Sequence, residues 1–146
     1  MDGKDEKILK LLRENSKLTT NQISKKTLIP ITTVHNRIKK LEKEGIIKKY
    51  TIQHDHKKLG KNLAAYIQIV VDYKLLKEIK ISQHELAKKI KQNEFVEEAA
   101  LVTGGSDILI KVRVKDVDEL DNFVTKFLRN IDGIEKTQTM VILHEI

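Results

Sequence analysis

The residues whose types and spacing best suit chemistry lie on one side of a helix predicted over residues 31–44. Val34, Ile38 and Leu41 follow one another at the spacing of a buried apolar stripe. At about 100° per residue, the opposite side carries hydroxyl and amide groups in its first half and cations in its second. This polar face consists of Thr32, Thr33, Asn36, Lys39 and Lys40, flanked by His35 and Arg37. Because short polar groups can bond base edges while cations bond phosphates, the pattern favours contact with the major groove of double-stranded DNA.

A solvated helix surface is the common alternative explanation of any polar stripe. Residues 31–41 contain no acidic side chain, whereas a solvated surface normally mixes both signs. The charge of the chain is also uneven. Residues 1–60 hold 15 basic and 7 acidic side chains, a net charge of +8, whereas the net charge of the whole chain is +7. Residues 61–146 therefore carry a net −1. This asymmetry indicates that the first part of the chain meets a polyanion.

Two shorter predicted helices and a tight turn precede the polar face. Apolar residues recur at helical spacing over residues 5–15, and Thr20 can cap a short helix that continues to Lys26. Residues 28–30 form a tight connection, with Pro30 in the first turn of the third helix, where a missing amide costs nothing. The order of helix, short helix, tight turn and helix is typical of a helix-turn-helix.

A wing is predicted after the third helix. Gly45 ends that helix, and the β-branched segment 46–52 is predicted as a short strand or β wing. Lys48 and Lys49 in this segment are candidate phosphate contacts. A polar stretch then leads to Gly60, where we place the domain boundary. The predicted domains are therefore residues 1–60, a DNA-binding helix-turn-helix with wing and linker, and residues 61–146.

The second domain alternates predicted strands and helices in the order βαββαβ. Strands are predicted over residues 63–72, 95–103, 107–114 and 134–143. Capping boxes are predicted at Ser82 with Glu85 and at Asp116 with Glu119, each beginning a helix. This order describes a ferredoxin-like sandwich, so the fold class is α+β. A sheet with helices on one face is expected to leave an apolar, bare face for a second copy of the chain.

The N-terminal residues resemble the winged helix-turn-helix of the Lrp/AsnC (feast/famine) transcription regulators. The resemblance is carried by Asp5, Ile8, Leu9, Leu12, residues 23–26, Leu28, Pro30, Val34, residues 37–42, residues 45–47, Tyr50 and Thr51. It continues through Leu59 and Gly60 into the second half, and so covers nearly the whole chain. One departure is Ile29, which stands before Pro30 where the family usually has a helix-capping serine.

The segment 102–112 is similar to the signature hairpin of that family, where a small effector, typically an amino acid, binds between subunits. The resemblance implies an effector site at Thr103, Gly104, Gly105, Ser106 and Asp107. A glycine turn exposes backbone amides that can hold a carboxylate, and Asp107 can hold an ammonium group. Family members often carry an acid and an aromatic residue where this chain has Gly105 and Ser106. A simple turn between strands is the alternative.

The resemblance implies a sequence-specific transcription regulator that acts as a homodimer, or as an octamer or other assembly of dimers. We expect no cofactor, because cysteine is absent and no phosphate-binding or nucleophile motif is present. We expect no metal site either, since His54, Asp55 and His56 are better explained as a solvated linker. No apolar run or signal segment indicates a membrane, so a cytoplasmic location is expected.

Two other classes of function stay open at this point. One is an architectural protein that compacts DNA with little sequence preference. The other is an enzyme, because haem-precursor decarboxylases share the two-domain plan, although no constellation for such a cofactor is visible.

Overall fold

The computed structural model describes all 146 residues, which divide into two compact units, Met1–His54 and Asp55–Ile146. The first unit contains only helices and the second a four-stranded sheet with helices, as the α+β prediction requires. The division lies slightly before the predicted boundary after residue 60. Residues 55–60 group with the second unit, in which His56 Nε2 lies 3.7 Å from Glu97 Oε1.

The first unit consists of α1 (Gly3–Glu14), α2 (Thr20–Thr27) and α3 (Ile31–Lys43). Each of the first two begins at a reciprocal capping box. Asp2 and Asp5 each accept a bond from the other's backbone N–H at α1, at 3.1 and 3.0 Å. At α2 the cap is Thr19 with Gln22, not the predicted Thr20. Thr19 has the extended backbone that a cap needs, whereas Thr20 already lies in the helix.

The core of this unit is built by the apolar stripes of the three helices. Its buried members are Ile8, Leu12, Ile23, Ile29 and Val34. Leu41 is also buried and Ile38 half-buried, so the predicted stripe of α3 is confirmed. The helix ends as predicted, because Gly45 adopts a positive φ of 71° and its N–H donates to Glu42 O.

One of the two predictions for the flanks of α3 is wrong. The helix begins at Ile31 as predicted, with Pro30 at the N-cap, and no side chain caps this end. Residues 46–52 form no strand, since a strand needs a partner for its ladder and none in the chain pairs with them. The segment is held against α3 instead: the Ile46 and Ile47 N–H groups donate to Leu41 O at 2.9 and 3.1 Å, and the Tyr50 hydroxyl donates to Glu42 Oε1 at 2.7 Å.

The second unit is an antiparallel sheet of strand order β2-β3-β1-β4, the ferredoxin-like arrangement. Its elements are β1 (Leu63–Val71), α4 (Tyr73–Ile79), α5 (Gln83–Lys91), β2 (Val96–Leu101), β3 (Ile108–Val114), α6 (Val117–Asn122) and β4 (Ile134–Val141). The capping box of Ser82 and Glu85 begins α5 as predicted. The helix α4 is an addition that the sequence pattern did not show; Asp72 caps it by accepting from Leu75 N–H at 3.0 Å.

The second predicted capping box is wrong in one half. Asp116 accepts from Glu119 N–H, but the Glu119 carboxylate accepts from Lys115 N–H at 2.6 Å, one residue too early for a reciprocal bond. The helix beyond α6 continues as a π turn over Phe123–Phe127 and a 3-10 turn over Leu128–Asn130. This path brings the rings of Phe123 and Phe127 within 5.2 Å of each other in the core.

The helices cover one face of the sheet, and the composition predicted for the other face is only partly correct. Alternate residues of β1 and β3 pack with the helices in one buried cluster. The opposite, open face carries apolar side chains that are half-buried or exposed: Tyr66, Val70, Leu109 and Met140. It also carries an ion-pair network of Glu97, Lys111, Arg113 and Glu145. The open face is therefore amphipathic, not simply apolar.

Candidate nucleic-acid interface and effector loop

The polar face predicted on α3 is present and faces solvent. Its exposed members are Thr32, His35, Asn36, Lys39 and Lys40, while Thr33 and Arg37 are half-buried. Lys48 and Lys49 are exposed in the segment after α3. The only ion pair of Lys40 is with Glu44 one turn on, at 3.8 Å between two exposed side chains, which leaves its charge accessible to another anion. Hydroxyl, amide and cationic groups thus share one largely exposed helix surface.

Arg37 differs from the other cations of the polar face because α1 supplies it with two acidic partners. Its Nη1 lies 2.7 Å from Asp2 Oδ1 and 2.8 Å from Asp5 Oδ1, and Asp5 is buried. The hydrogen bond from Arg37 lowers the pKa of Asp2 to about 2, and the same guanidinium lowers the pKa of Asp5. Arg37 therefore ties α3 to α1, and a DNA contact by this residue stays a prediction.

The acidic partners of Arg37 were not predictable from α3 alone, since residues 31–41 contain no acid and both partners lie at the start of α1. Asp5 has a sufficient local explanation there, because the first turn of a helix favours negative charge. Together with Arg37, the two acids line a depression of about 400 Å³ that also reaches Asn36 and Lys40. The only sequence signal for this arrangement was that the polar face holds one arginine among lysines, and an arginine can bond two carboxylates at once.

The predicted effector loop joins β2 to β3 in the second unit. Thr103, Gly104 and Gly105 are exposed, whereas Ser106 is buried. Asp107 anchors the loop: Oδ2 accepts from Val71 N–H and Oδ1 from the Tyr73 hydroxyl, both at 2.8 Å. The latter bond raises the pKa of Tyr73. The carboxylate assigned to a ligand's ammonium group is thus already engaged within the protein.

A cavity of about 220 Å³ lies beside Gly105 and Ser106. Its other walls come from β1 and β4, which pair so that Gln68 lies opposite Gln138 and Val70 opposite Lys136. These walls were not predicted, because their residues are separated from the loop in the chain. No group of three or more His, Cys, Asp or Glu side chains is placed to hold a metal ion. No helix combines the length and apolar character needed to cross a membrane.

Comparison with protein families gives one match for each part of the chain. A model described as winged helix-turn-helix DNA-binding matches residues 1–48. A model described as Lrp/AsnC ligand binding domain matches residues 64–146. The second match spans more than half of the chain and includes both the loop and the cavity.

Relatives similar over nearly the full length of the chain are named HTH-type transcriptional regulators. An uncharacterised HTH-type transcriptional regulator of Pyrococcus horikoshii is 40% identical over 141 residues, covering 97% of this chain and 91% of the relative. The HTH-type transcriptional regulator FL11 of Pyrococcus furiosus is 36% identical over 143 residues, covering 98% and 89%.

Solved structures agree in fold over the whole chain. AsnC of E. coli superposes with a TM-score of 0.85 at 27% identity, covering 99% of this chain and 93% of that one. A transcriptional regulator from Neisseria meningitidis in complex with L-Met gives a TM-score of 0.91 at 25% identity, covering 100% and 92%. With both family matches and relatives along its full length, the chain belongs to the Lrp/AsnC family of transcription regulators.

Proposed function

We propose that the chain regulates transcription as a homodimer that places α3 of each subunit in the major groove of double-stranded DNA. The observation that carries this function is the exposed surface of α3, on which hydroxyl and amide groups precede cations and no acid intervenes. Thr32, Thr33, His35 and Asn36 would contact base edges. Lys39, Lys40, Lys48 and Lys49 would contact phosphates on either side. Arg37 would position α3 through Asp2 and Asp5.

The homodimer is proposed to form through the open face of the sheet. Tyr66, Val70, Leu109 and Met140 leave apolar surface there that a second copy can bury. A two-fold dimer presents two copies of α3, so the DNA site would contain two related halves spaced by a whole helical turn or more. Further association of dimers, up to an octamer, would extend the contact along the duplex. We assign no catalytic reaction to this assembly.

The salt dependence of binding tests the role of the cations. We expect Lys40→Gln to reduce the magnitude of the negative slope of log K against log salt by about 1.8, because the dimer loses one phosphate contact in each subunit and each contact contributes about 0.9. Asn36→Ala is expected to weaken binding to the preferred duplex by about 1–3 kcal/mol for each half-site while changing the slope little. Both are measured by fluorescence anisotropy on a duplex enriched from a random library and on a scrambled duplex.

Lys89→Gln is the matched control, since Lys89 is an exposed lysine on a helix of the second unit. It should leave the slope unchanged. A slope near zero for the unaltered protein, or no change on Lys40→Gln, would contradict the proposed interface. A ratio near one between enriched and scrambled duplex would instead favour an architectural, compacting role.

The second part of the proposal is an amino-acid effector in the cavity beside Gly105 and Ser106. The exposed Lys136 and the loop amides suit a carboxylate, and the structurally similar regulator from Neisseria meningitidis is known in complex with L-Met. Gln68 and Gln138 offer side-chain oxygens to an ammonium group, since Asp107 is engaged by Val71 and Tyr73.

We expect at least one of the twenty amino acids to stabilise the protein, by about 2.7 kcal/mol at one hundred times its dissociation constant. Thermal unfolding with each amino acid at millimolar concentration measures this. Lys136→Gln should remove the stabilisation, whereas Lys126→Gln, at an exposed site away from the cavity lining, should retain it. If none of the twenty raises the midpoint, the effector proposal fails.

A further inference from the structure

The turn before α3 holds Leu28 in a conformation that its backbone stabilises and its side chain does not: the Leu28 N–H donates to Ser24 O at 2.8 Å at the end of α2. Leu28 has a positive φ of 58° and caps the end of α2 in the left-handed region. For a residue with a Cβ atom, this region costs about 1–2 kcal/mol, and glycine would avoid the cost. The side chain of Leu28 is 91% exposed, so its burial does not offset the strain. A large apolar group is thus held in water at a conformational cost.

Two neighbouring residues extend the same apolar surface. Pro30 is exposed at the N-cap of α3, and Ile31, its first residue, is 45% exposed. Between them and Leu28, Ile29 is 95% withdrawn from solvent in the core of the unit, and its carbonyl accepts from Ser24 Oγ at 2.6 Å. Because Ile29 anchors the turn, its neighbours are left outside. We call Leu28, Pro30 and Ile31 the apolar edge.

The position of the apolar edge relative to the polar face determines what it can contact. Ile31 directly precedes Thr32, and the first residues of a recognition helix are those that reach base edges in the major groove. The apolar group that duplex DNA presents there is the C5-methyl group of thymine, which aliphatic side chains recognise. The remaining base-edge groups in that groove are polar donors and acceptors, which an aliphatic side chain cannot satisfy.

We propose that the apolar edge contacts thymine C5-methyl groups and gives the protein a preference for thymine beside the bases bonded by the polar face. This inference rests on the proposed function, because it requires α3 to lie in the major groove. The strain at Leu28 is then retained because the side chain serves binding and not folding. Ile31 supplies the contact nearest the polar face and Leu28 the one farther out along the turn.

Replacing thymine by uracil in the enriched duplex tests the proposal, because uracil lacks only the methyl group. Each contacted methyl group is expected to lower the dissociation constant about fourfold, because that factor corresponds to the transfer free energy of burying one carbon. The unaltered protein should therefore bind the thymine duplex about fourfold more tightly for each such position. Ile31→Ala should bring this ratio toward one at the thymine that Ile31 contacts.

Leu28→Gly separates binding from folding. It removes the strain, so the thermal midpoint should rise, yet the thymine-to-uracil ratio should fall. A loss of binding through misfolding cannot give that combination. Ile46→Ala is the matched control, since Ile46 is 43% exposed in the same unit and lies outside the apolar edge; it should leave the ratio unchanged.

The possible outcomes distinguish failure of this inference from failure of the proposed function on which it rests. Equal binding of the thymine and uracil duplexes by the unaltered protein overturns the apolar edge while leaving DNA recognition intact. An unchanged ratio in both Ile31→Ala and Leu28→Gly overturns it as well. Failure to enrich or bind any duplex would instead contradict the proposed function.

Discussion

Gly133→Ala is expected to lower the free energy of unfolding of the second unit by about 3 kcal/mol. Gly133 has a positive φ of 99°, which an alanine would adopt only with strain. Its Cβ would also collide with Leu76 Cδ2 and lie 3.3 Å from Leu76 Cγ. Leu76 is 3% exposed and belongs to the main core cluster, so its side chain has little room to move aside.

Gly104→Ala is the matched control for backbone strain alone. Gly104 has a similar φ of 109°, but a Cβ there would meet nothing within 4 Å, so the expected loss is about 1 kcal/mol. Urea unfolding gives the total change, and hydrogen exchange of the β1 amides reports the second unit separately. Equal losses in the two variants would show that the contact with Leu76 contributes nothing.

Local features of the fold were predictable from the sequence because their physical causes are local. The capping box of Ser82 and Glu85 satisfies backbone amides within one helical turn. Gly45 ends α3 because glycine readily adopts the positive φ that terminates a helix, which is also a local property. The apolar spacing of Val34 and Leu41 sets which side of α3 is buried and hence which side is available to a partner. The polar face followed from that periodicity alone.

Features that depend on a distant segment were missed or were wrong. Residues 46–52 have the composition of a strand, but the ladder that makes a strand requires a second segment. Arg37 appeared to be a free cation because Asp2 and Asp5 precede it by 35 and 32 residues. In both cases the residue types were informative, but the outcome depended on whether a distant segment of the chain lies next to them.

The effector loop likewise has one feature with a local cause and one that depends on distant segments. Its glycines predicted a turn between strands, which the structure has, but the cavity beside it depends on the register of β1 with β4. The predicted role of Asp107 came from its charge. The structure shows the carboxylate bonded to Val71 and Tyr73, and Asp107 is not among the residues that line the cavity.

The turn at Leu28 shows how a residue can conflict with local propensity. A tight connection was predictable, but the left-handed position within it favours glycine and the chain has leucine there. Pro30 conflicts with nothing in the same way, since it lies at the N-cap just before Ile31, the predicted and observed first residue of α3. Conflicts between local preference and structure tend to occur at functional sites, which is consistent with the apolar edge lying beside the polar face.

Arg113→Met is expected to destabilise the second unit by about 2–3 kcal/mol. Arg113 is 6% exposed on the open face of the sheet, and its guanidinium bonds Glu97 Oε1 at 2.6 Å and Glu145 Oε1 at 2.8 Å. Methionine fills similar space but leaves both carboxylates without this partner. Because Glu97 and Glu145 keep contact with water, and Lys111 still bonds Glu145, the loss should stay below that of a fully buried charge.

The acid limb of the stability profile should change with the same substitution. Hydrogen bonds from Arg113 and Lys111 lower the pKa of Glu145 from 4.5 to about 2. A carboxylate with a lowered pKa stabilises the folded state above its unfolded pKa and loses that contribution as the pH falls toward the folded value. Urea unfolding between pH 7 and pH 3 should therefore show a steeper decline for the unaltered protein than for Arg113→Met.

The quadruple variant Glu97→Gln, Lys111→Met, Arg113→Met, Glu145→Gln decides whether charge or packing is responsible, because it removes every charge of the network, including Lys111, which pairs with both carboxylates. Replacing a whole ion-pair network by neutral residues of similar volume is often close to neutral, so its stability should lie within about 1 kcal/mol of the unaltered protein. If the quadruple variant is as unstable as Arg113→Met, the loss comes from the packing of the arginine stem, because no uncompensated charge of the network is then left. Recovery in the quadruple variant would instead show that Arg113 stabilises the open face by neutralising Glu97 and Glu145, and that a second copy docking there meets a surface whose charges are already paired.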